Sequence, residues 1–349
     1  MSDEIVAPET RDLDLLSTQL AGWLGSRLGN VSDVQITNLA YPRGAGQSHE
    51  TILFDASWSV AGERRGRGCV VRIKPTRHLV YPDNLFDEQY RLMCLLHEDG
   101  RVRVAKPLWF EENSSLLGAP FFVMEKRIGR VPVSIPPYRE VGWVAEATPA
   151  QRRVMWESGV RQLAAIQSVA LSAVQFLAGQ KEDAREGLAQ EWDKYNRFID
   201  WMGGERFTPV LRAAMDRLHK LWPDNQPAWL VWGDARIGNM MFDENFEVIA
   251  VMDWEQPSLG GALHDLAWWL VLSETMHSTT PTKPHLEGMG TRQETIALWQ
   301  EITGISADGV EWYEDFTRLK MSCLSLTTSR MGRHPLPEPT EMARRLKVA

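Results

Sequence analysis

Apolar positions in the first third of the chain change period several times. Leu13, Leu16, Leu20, Trp23, Leu24 and Leu28 recur at three- and four-residue steps. That spacing gathers side chains on one helix face and predicts an amphipathic helix over 13–28. From Val34 the period falls to two, predicting strands over 34–39, 51–60 and 68–73. In the second of these Ile52, Phe54, Ala56 and Trp58 alternate with neighbours of mixed polarity, as on a sheet face. Helical spacing returns over 84–97 through Leu85, Leu92, Leu95 and Leu96, and two further strands are expected over 106–111 and 120–125. The sum is a five-stranded, largely antiparallel sheet with a helix inserted after its third strand.

Beyond Lys126 the pattern changes. Pro132, Pro136 and Pro137 rule out regular helix or central strand over 130–138, which reads as a connector. Thr148-Pro149-Ala150 supplies an N-cap and a first-turn proline for a helix running to about 169. Helical spacing continues over 188–202, 209–221, 261–276, 292–303, 309–330 and 338–346, and Val248 to Met252 reads as a short buried strand. The fold class is α+β. A small β-rich lobe is expected over 1–125 and a larger helical lobe over 126–349, with no internal repeat.

Composition narrows the partners. Net charge is −8 over 349 residues, which argues against nucleic acid, whose phosphates require a basic footprint. Cys69, Cys94 and Cys323 lack metal-ligand spacing and read as free thiols of a reducing compartment. No apolar run reaches the roughly 18 to 20 residues that span a bilayer. Met1-Ser2-Asp3-Glu4 lacks the basic and apolar regions of a signal peptide. A cytoplasmic protein is expected, without membrane attachment and with no obligate protein partner evident.

Chemistry concentrates in Val231-Trp232-Gly233-Asp234-Ala235-Arg236-Ile237-Gly238-Asn239, followed by Val251-Met252-Asp253-Trp254-Glu255. Alone, Asp234 and Asn239 would be ordinary turn formers and Asp253 a strand cap. Together they supply what a metal-assisted phosphoryl transfer needs: a carboxylate to take a hydroxyl proton, and an amide oxygen and second carboxylate for magnesium. Arg236 could balance those carboxylates or meet an anionic substrate. Glu255, taken to share a strand face with Asp253, could assist the metal site. Asp265 is read as structural, capping a helix or hydrogen-bonding the loop; His264 is given no role.

Three earlier segments could hold a nucleotide. Gly44, Gly46 and Ser48 lie in a turn where backbone amides and a hydroxyl could approach phosphates. Arg72 and Lys74 alternate onto one face of a strand, and either could neutralise phosphate. Glu88 and Gln89 on the next helix could orient that cation. Phe121 to Lys126 crosses from one lobe to the other, where free backbone groups could pair with an adenine edge.

Taken together, these segments resemble the aminoglycoside phosphotransferase and choline kinase-like superfamily. The likeness rests on Trp232-Gly233-Asp234 through Asn239, Met252-Asp253-Trp254-Glu255 and Asp265-Leu266-Ala267. Gly44-Ala45-Gly46-Gln47-Ser48, Val71-Arg72, Gln89 to Met93 and Leu117 to Glu125 agree in order. It is closest to the branch whose vertebrate relatives are fused to acyl-CoA dehydrogenase domains. The resemblance implies a bilobal protein-kinase-like fold using ATP and Mg2+ to phosphorylate a hydroxyl on a small molecule. It makes Asp234 the base and Asn239 and Asp253 the metal ligands. Gly44, Gly46, Ser48, Arg72, Met124, Glu125 and Arg127 become the nucleotide contacts. Three positions depart from the family pattern: Trp232 stands where histidine is usual, Arg72 for lysine, and Gln89 for glutamate. The alternative implied by the last two is a nucleotide-binding pseudokinase acting as a regulatory or interaction module. Either arginine or lysine carries charge, but a planar fork and a point charge meet phosphate differently.

Overall fold

The computed structural model describes residues 11–42, 50–76, 80–179, 186–202, 204–224 and 227–349. Two compact units emerge, one from Met1–Leu79 with Val104–Ile128, the other from Val80–Arg103 with Gly129–Ala349.

The first unit is a sheet backed by a helix. Helix α1 spans Leu13–Leu28, as its spacing predicts, and starts where the Asp12 carboxylate accepts the Asp14 and Leu15 amides. Its buried face is Leu16, Leu20, Trp23 and Leu24, each contributing about 1.5–3 kcal/mol by leaving water. These pack on Ile52, Phe54, Val71, Phe121 and Val123 from the sheet. The strands are β1 (Ser32–Ala40), β2 (Glu50–Val60), β3 (Glu63–Ile73), β4 (Pro107–Glu111) and β5 (Phe121–Glu125), in the antiparallel order β1-β2-β3-β5-β4. Strand β3 begins five residues before the expected 68. Ala61 and Gly62, both left-handed with φ 48 and 86°, turn the chain tightly, and exposed Glu63, Arg64, Arg65 and Arg67 continue the ladder past the core. A short helix, α3 (Ser114–Leu117), has no counterpart in the apolar spacing.

The second unit is mainly helical. It takes in helix α2 (Phe86–Asp99) from the first third of the chain. Segment 80–103 is tied there by Arg103, whose amide donates to Gln162 Oε1 at 2.7 Å and whose carbonyl accepts the Val251 amide at 2.7 Å. Arg91 also lies over the Phe176 ring, 4.0 Å from its centroid. The other helices are α4 (Trp143–Glu146), α5 (Pro149–Ile166), α6 (Leu188–Met202), α7 (Thr208–Lys220), α8 (Leu263–Met276), α9 (Arg292–Thr303), α10 (Val310–Arg330) and α11 (Pro339–Arg345). Helix α5 opens on a capping box between Thr148 and Gln151 with Pro149 in the first turn. A hairpin of β6 (Met240–Phe242) and β7 (Val248–Val251) rises from the Asp234 loop.

All three cysteines are free. Among the described residues no helix is long and apolar enough to cross a membrane.

Candidate active site

The loop before β6 is built around one carboxylate. Asp234 Oδ2 accepts the Asn239 side-chain amide at 2.7 Å and Arg236 Nε at 3.1 Å, while Oδ1 accepts the Trp268 indole N–H at 2.8 Å. Asn239 also donates to the Asp234 carbonyl at 3.1 Å. A single 3-10 turn over Ile237–Asn239 closes the five-residue gap that the sequence leaves between the two side chains. Because Asn239 gives its nitrogen to Asp234, its amide oxygen faces the other way.

Glycine is required at the mouth of the loop. Gly233 has φ 100°, and a Cβ there would collide with the backbone carbonyl of Gln256. The same turn presents two backbone amides to Asp265: Trp232 N donates to Oδ2 at 2.7 Å and Gly233 N to Oδ1 at 3.0 Å. Of the two readings open for Asp265, hydrogen-bonding the loop is the one observed. Burial pushes its pKa up to about 6, the two amides pulling the other way.

Asp253 follows β7, which stops at Val251, one residue short of the expected strand. It adopts a left-handed backbone with φ 63°, a conformation aspartate tolerates better than most residues. That twist overturns the placement of Glu255 on a shared strand face with Asp253, since the extended alternation ends before both. Glu255 is nonetheless buried near the same charges: Asp234, Glu255 and Asp253 all raise the pKa of Tyr81, after burial itself. Asp234 and Asp253 likewise act together on Arg236. Burial disfavours its charge, but the carboxylates more than offset this and its pKa lies above the usual value.

Arg236 also donates through Nη1 to Ser134 Oγ at 2.6 Å, joining the proline-rich connector to the loop. Beyond it opens a small cleft lined by Ser134, Tyr138, Arg236, Trp269, Leu272 and Met276 among others. At its inner end Tyr138 hydroxyl lies 2.7 Å from His277 Nδ1. Burial holds His277 at about 3, so the ring is neutral at physiological pH.

The nucleotide residues expected from sequence fall on the first unit. Arg72 is buried on β3 opposite Phe122 of β5; Met124 and Glu125 end β5 half-buried. Arg127 is exposed, its Nη1 3.8 Å from Glu125 Oε2. Lys74 lies one residue past the end of β3 and does not share its ladder with Arg72. Gly44, Gly46 and Ser48 lie outside the described residues. Gln89, on α2 of the second unit, is fully buried, and neither end of its amide has a hydrogen-bond partner among the described residues.

Trp268 is the site residue that sequence reasoning missed. In Leu266-Ala267-Trp268-Trp269-Leu270 every position is apolar and buried, so nothing in the spacing marks the one ring whose N–H leaves the core.

A sheet unit and a helical unit that carries the Asp234–Asn239 loop and the β6–β7 hairpin agree with the bilobal kinase-like fold expected from the sequence. Comparison agrees: a sequence model of the phosphotransferase enzyme family matches residues 46–302. The chain belongs to that family. Among curated proteins it is 29% identical over 204 residues to mouse acyl-CoA dehydrogenase family member 10, which covers 58% of this chain and 18% of that protein. It is 29% identical over 202 residues to human acyl-CoA dehydrogenase family member 11, covering 57% and 24%. The chain thus spans less than a third of the length of these relatives. Among solved structures, a Ralstonia eutropha protein classed as an aminoglycoside phosphotransferase superposes with TM-score 0.65 at 21% identity, covering 95% and 94% of the two chains. Amicoumacin kinase hAmiN in complex with AMP-PNP, Ca2+ and Ami gives 0.57 at 12% identity, covering 97% and 95%. Choline kinase LicA from Streptococcus pneumoniae gives 0.55 at 15%, covering 95% and 97%. At these identities the likeness establishes the bilobal kinase-like fold.

Proposed function

We propose that this chain is an ATP-dependent phosphotransferase whose acceptor is a hydroxyl on a small molecule, with Asp234 as the base. The observation that carries the reading is the set of N–H groups on that carboxylate, from Asn239, Arg236 and Trp268. They fix both oxygens while leaving Oδ1 a lone pair to receive a proton. As the acceptor oxygen bonds to the γ-phosphorus and the bond to the leaving ADP breaks, the hydroxyl proton passes to Asp234.

Asn239 and Asp253 would hold Mg2+. Their oxygens are the hard donors that ion prefers, and the orientation of Asn239 keeps its carbonyl oxygen turned from Asp234. When bound, the metal would offset negative charge on the nucleotide phosphates. Arg72, with Gly44, Gly46 and Ser48, is proposed for the phosphates, and Met124, Glu125 and Arg127 for the adenine side. Arg236 retains N–H groups beyond those given to Asp234 and Ser134, so it can also stabilise charge on the transferred group. The cleft beside Arg236 is the proposed acceptor entrance. The hygromycin B, amicoumacin and choline named for structural relatives support a small-molecule acceptor without selecting one.

The test is an ATP-consumption screen over alcohols, sugars, aminoglycosides and hydroxyacyl-CoAs, with Asp234→Asn as control. The variant should lose transfer and keep ATP binding; full transfer in Asp234→Asn would sink the role of the base.

A further inference from the structure

Behind the Asp234 loop lies a buried ionic cluster. Lys320 on α10 is 2% exposed and places its ammonium 2.9 Å from Glu191 Oε2 on α6 and 3.3 Å from His264 Nδ1 on α8. Lys194 stands 3.7 Å from the other Glu191 oxygen. His264 cannot share the positive charge: burial, with Lys320 beside it, lowers its pKa to about 3. The rest of the Lys320 surroundings is aromatic, with ring centroids of Phe316, Tyr195 and Trp268 at 5.2, 5.3 and 5.7 Å. Trp268 is therefore held on its face by a cation and aims its N–H at Asp234 Oδ1, 2.8 Å away.

Core stability does not account for this arrangement. Desolvating an ion pair consumes most of its Coulombic gain, and apolar side chains of similar volume generally hold a core as well or better. Packing alone would also be satisfied by phenylalanine at 268. The indole adds a neutral donor, which fixes the carboxylate's direction without adding a second positive charge beside Arg236.

We propose that Trp268 is a positioning residue for Asp234, and that the Glu191–Lys320 pair clamps its indole so that the carboxylate faces the acceptor. This rests on the reading of Asp234 as the base. Asn239 and Arg236 constrain Oδ2 from within the loop; Trp268 constrains Oδ1 from outside it. Without the indole the carboxylate is free to swing about the Oδ2 contacts.

Trp268→Phe keeps the ring and removes the donor. Turnover of ATP with water or a screened hydroxyl as acceptor should fall roughly 10- to 100-fold in kcat, the penalty of a misaligned reacting group, with KM for ATP within about twofold. The Glu191→Gln/Lys194→Met/Lys320→Met triple variant, which removes Lys194 together with the pair so that none of the three charges is left without its partner, should lose kcat in the same direction while remaining folded. A readout independent of turnover is the 1H–15N indole resonance of Trp268, assigned by its disappearance in Trp268→Phe. It should shift in Asp234→Asn and in the triple variant. An indole signal unmoved by Asp234→Asn, or a wild-type kcat in Trp268→Phe, overturns the inference. So does a Trp268→Phe loss that appears equally in ATP binding and melting temperature, which marks a purely structural ring. Full turnover in Asp234→Asn would instead remove the base assignment on which the inference stands.

Discussion

The indole N–H of Trp232 donates to the Met252 carbonyl at 2.8 Å, tying the residue before Gly233-Asp234 to the residue before Asp253. Trp232 is fully buried. Support for the Asp234 loop therefore comes from this side chain, acting across to the residue that follows the β6–β7 hairpin. Trp232→Phe preserves the apolar burial and leaves the carbonyl without this donor. A loss of about 1–2 kcal/mol in urea unfolding is expected, with a larger proportional fall in ATP turnover than in ATP binding. Unchanged turnover would mean that the bond holds the core and not the site.

Asp265 gives the site a pH dependence. Its folded pKa, about 6, lies above the ordinary aspartate value of 3.8. A raised pKa means the folded state binds the proton more tightly. The associated stability is fully present below 3.8 and is lost as pH rises through about 6. Activity should run the opposite way, because the ionised carboxylate is the form that accepts both loop amides well. An acid limb near pH 6 in ATP turnover is expected, in a range where unfolding free energy is not falling. Asp265→Asn should abolish that limb and cost about 1–3 kcal/mol, since its NH2 would confront a backbone N–H. An acid limb persisting in Asp265→Asn would assign it to another group.

Gly233→Ala tests the loop backbone. A side chain at φ 100° is strained, and its Cβ meets the Gln256 carbonyl. A destabilisation of about 1–3 kcal/mol is expected by chemical denaturation, with ATP turnover reduced more than tenfold. Wild-type stability would show that the two segments separate without penalty.

Asp253→Asn separates backbone from ligand chemistry. Asparagine tolerates the left-handed conformation that Asp253 adopts, so the melting temperature without nucleotide should change little. The further stabilisation that Mg2+ adds to ATP binding should largely disappear in a thermal-shift titration. A full Mg2+ increment in the variant would exclude Asp253 as the metal ligand.

Much of this was legible in the chain, for identifiable reasons. Helix α1 and strand β2 have one face against a core, so their apolar period is unmistakable, whereas β5 reads as a short apolar run because Phe121, Phe122 and Val123 are buried in succession. Asp234 and Asn239, singly ordinary turn formers, stood out only through their order and spacing with Asp253 at the end of an apolar run. The early residues of β3 were hidden because Glu63 to Arg67 are exposed, with no buried side chain to impose alternation. Glu255 was misplaced because the period of two was extended past Val251, where the left-handed Asp253 ends it. Trp268 was invisible for the opposite reason: its α8 neighbours are all apolar, and the function of a buried ring is set by where its N–H points.

The segment 80–103 carries a practical consequence. The helical unit is discontinuous along the chain, which passes from one unit to the other at 79–80, 103–104 and 128–129. No single cut releases either unit whole. A fragment starting after 128 would lack α2, with its fully buried Phe86, Leu92 and Leu96, and would lose the Arg103 carbonyl that receives the Val251 amide. Exchanging acceptor specificity with a homologue by a one-junction swap would therefore divide a folding unit; a workable chimera must transfer 80–103 together with everything after 128.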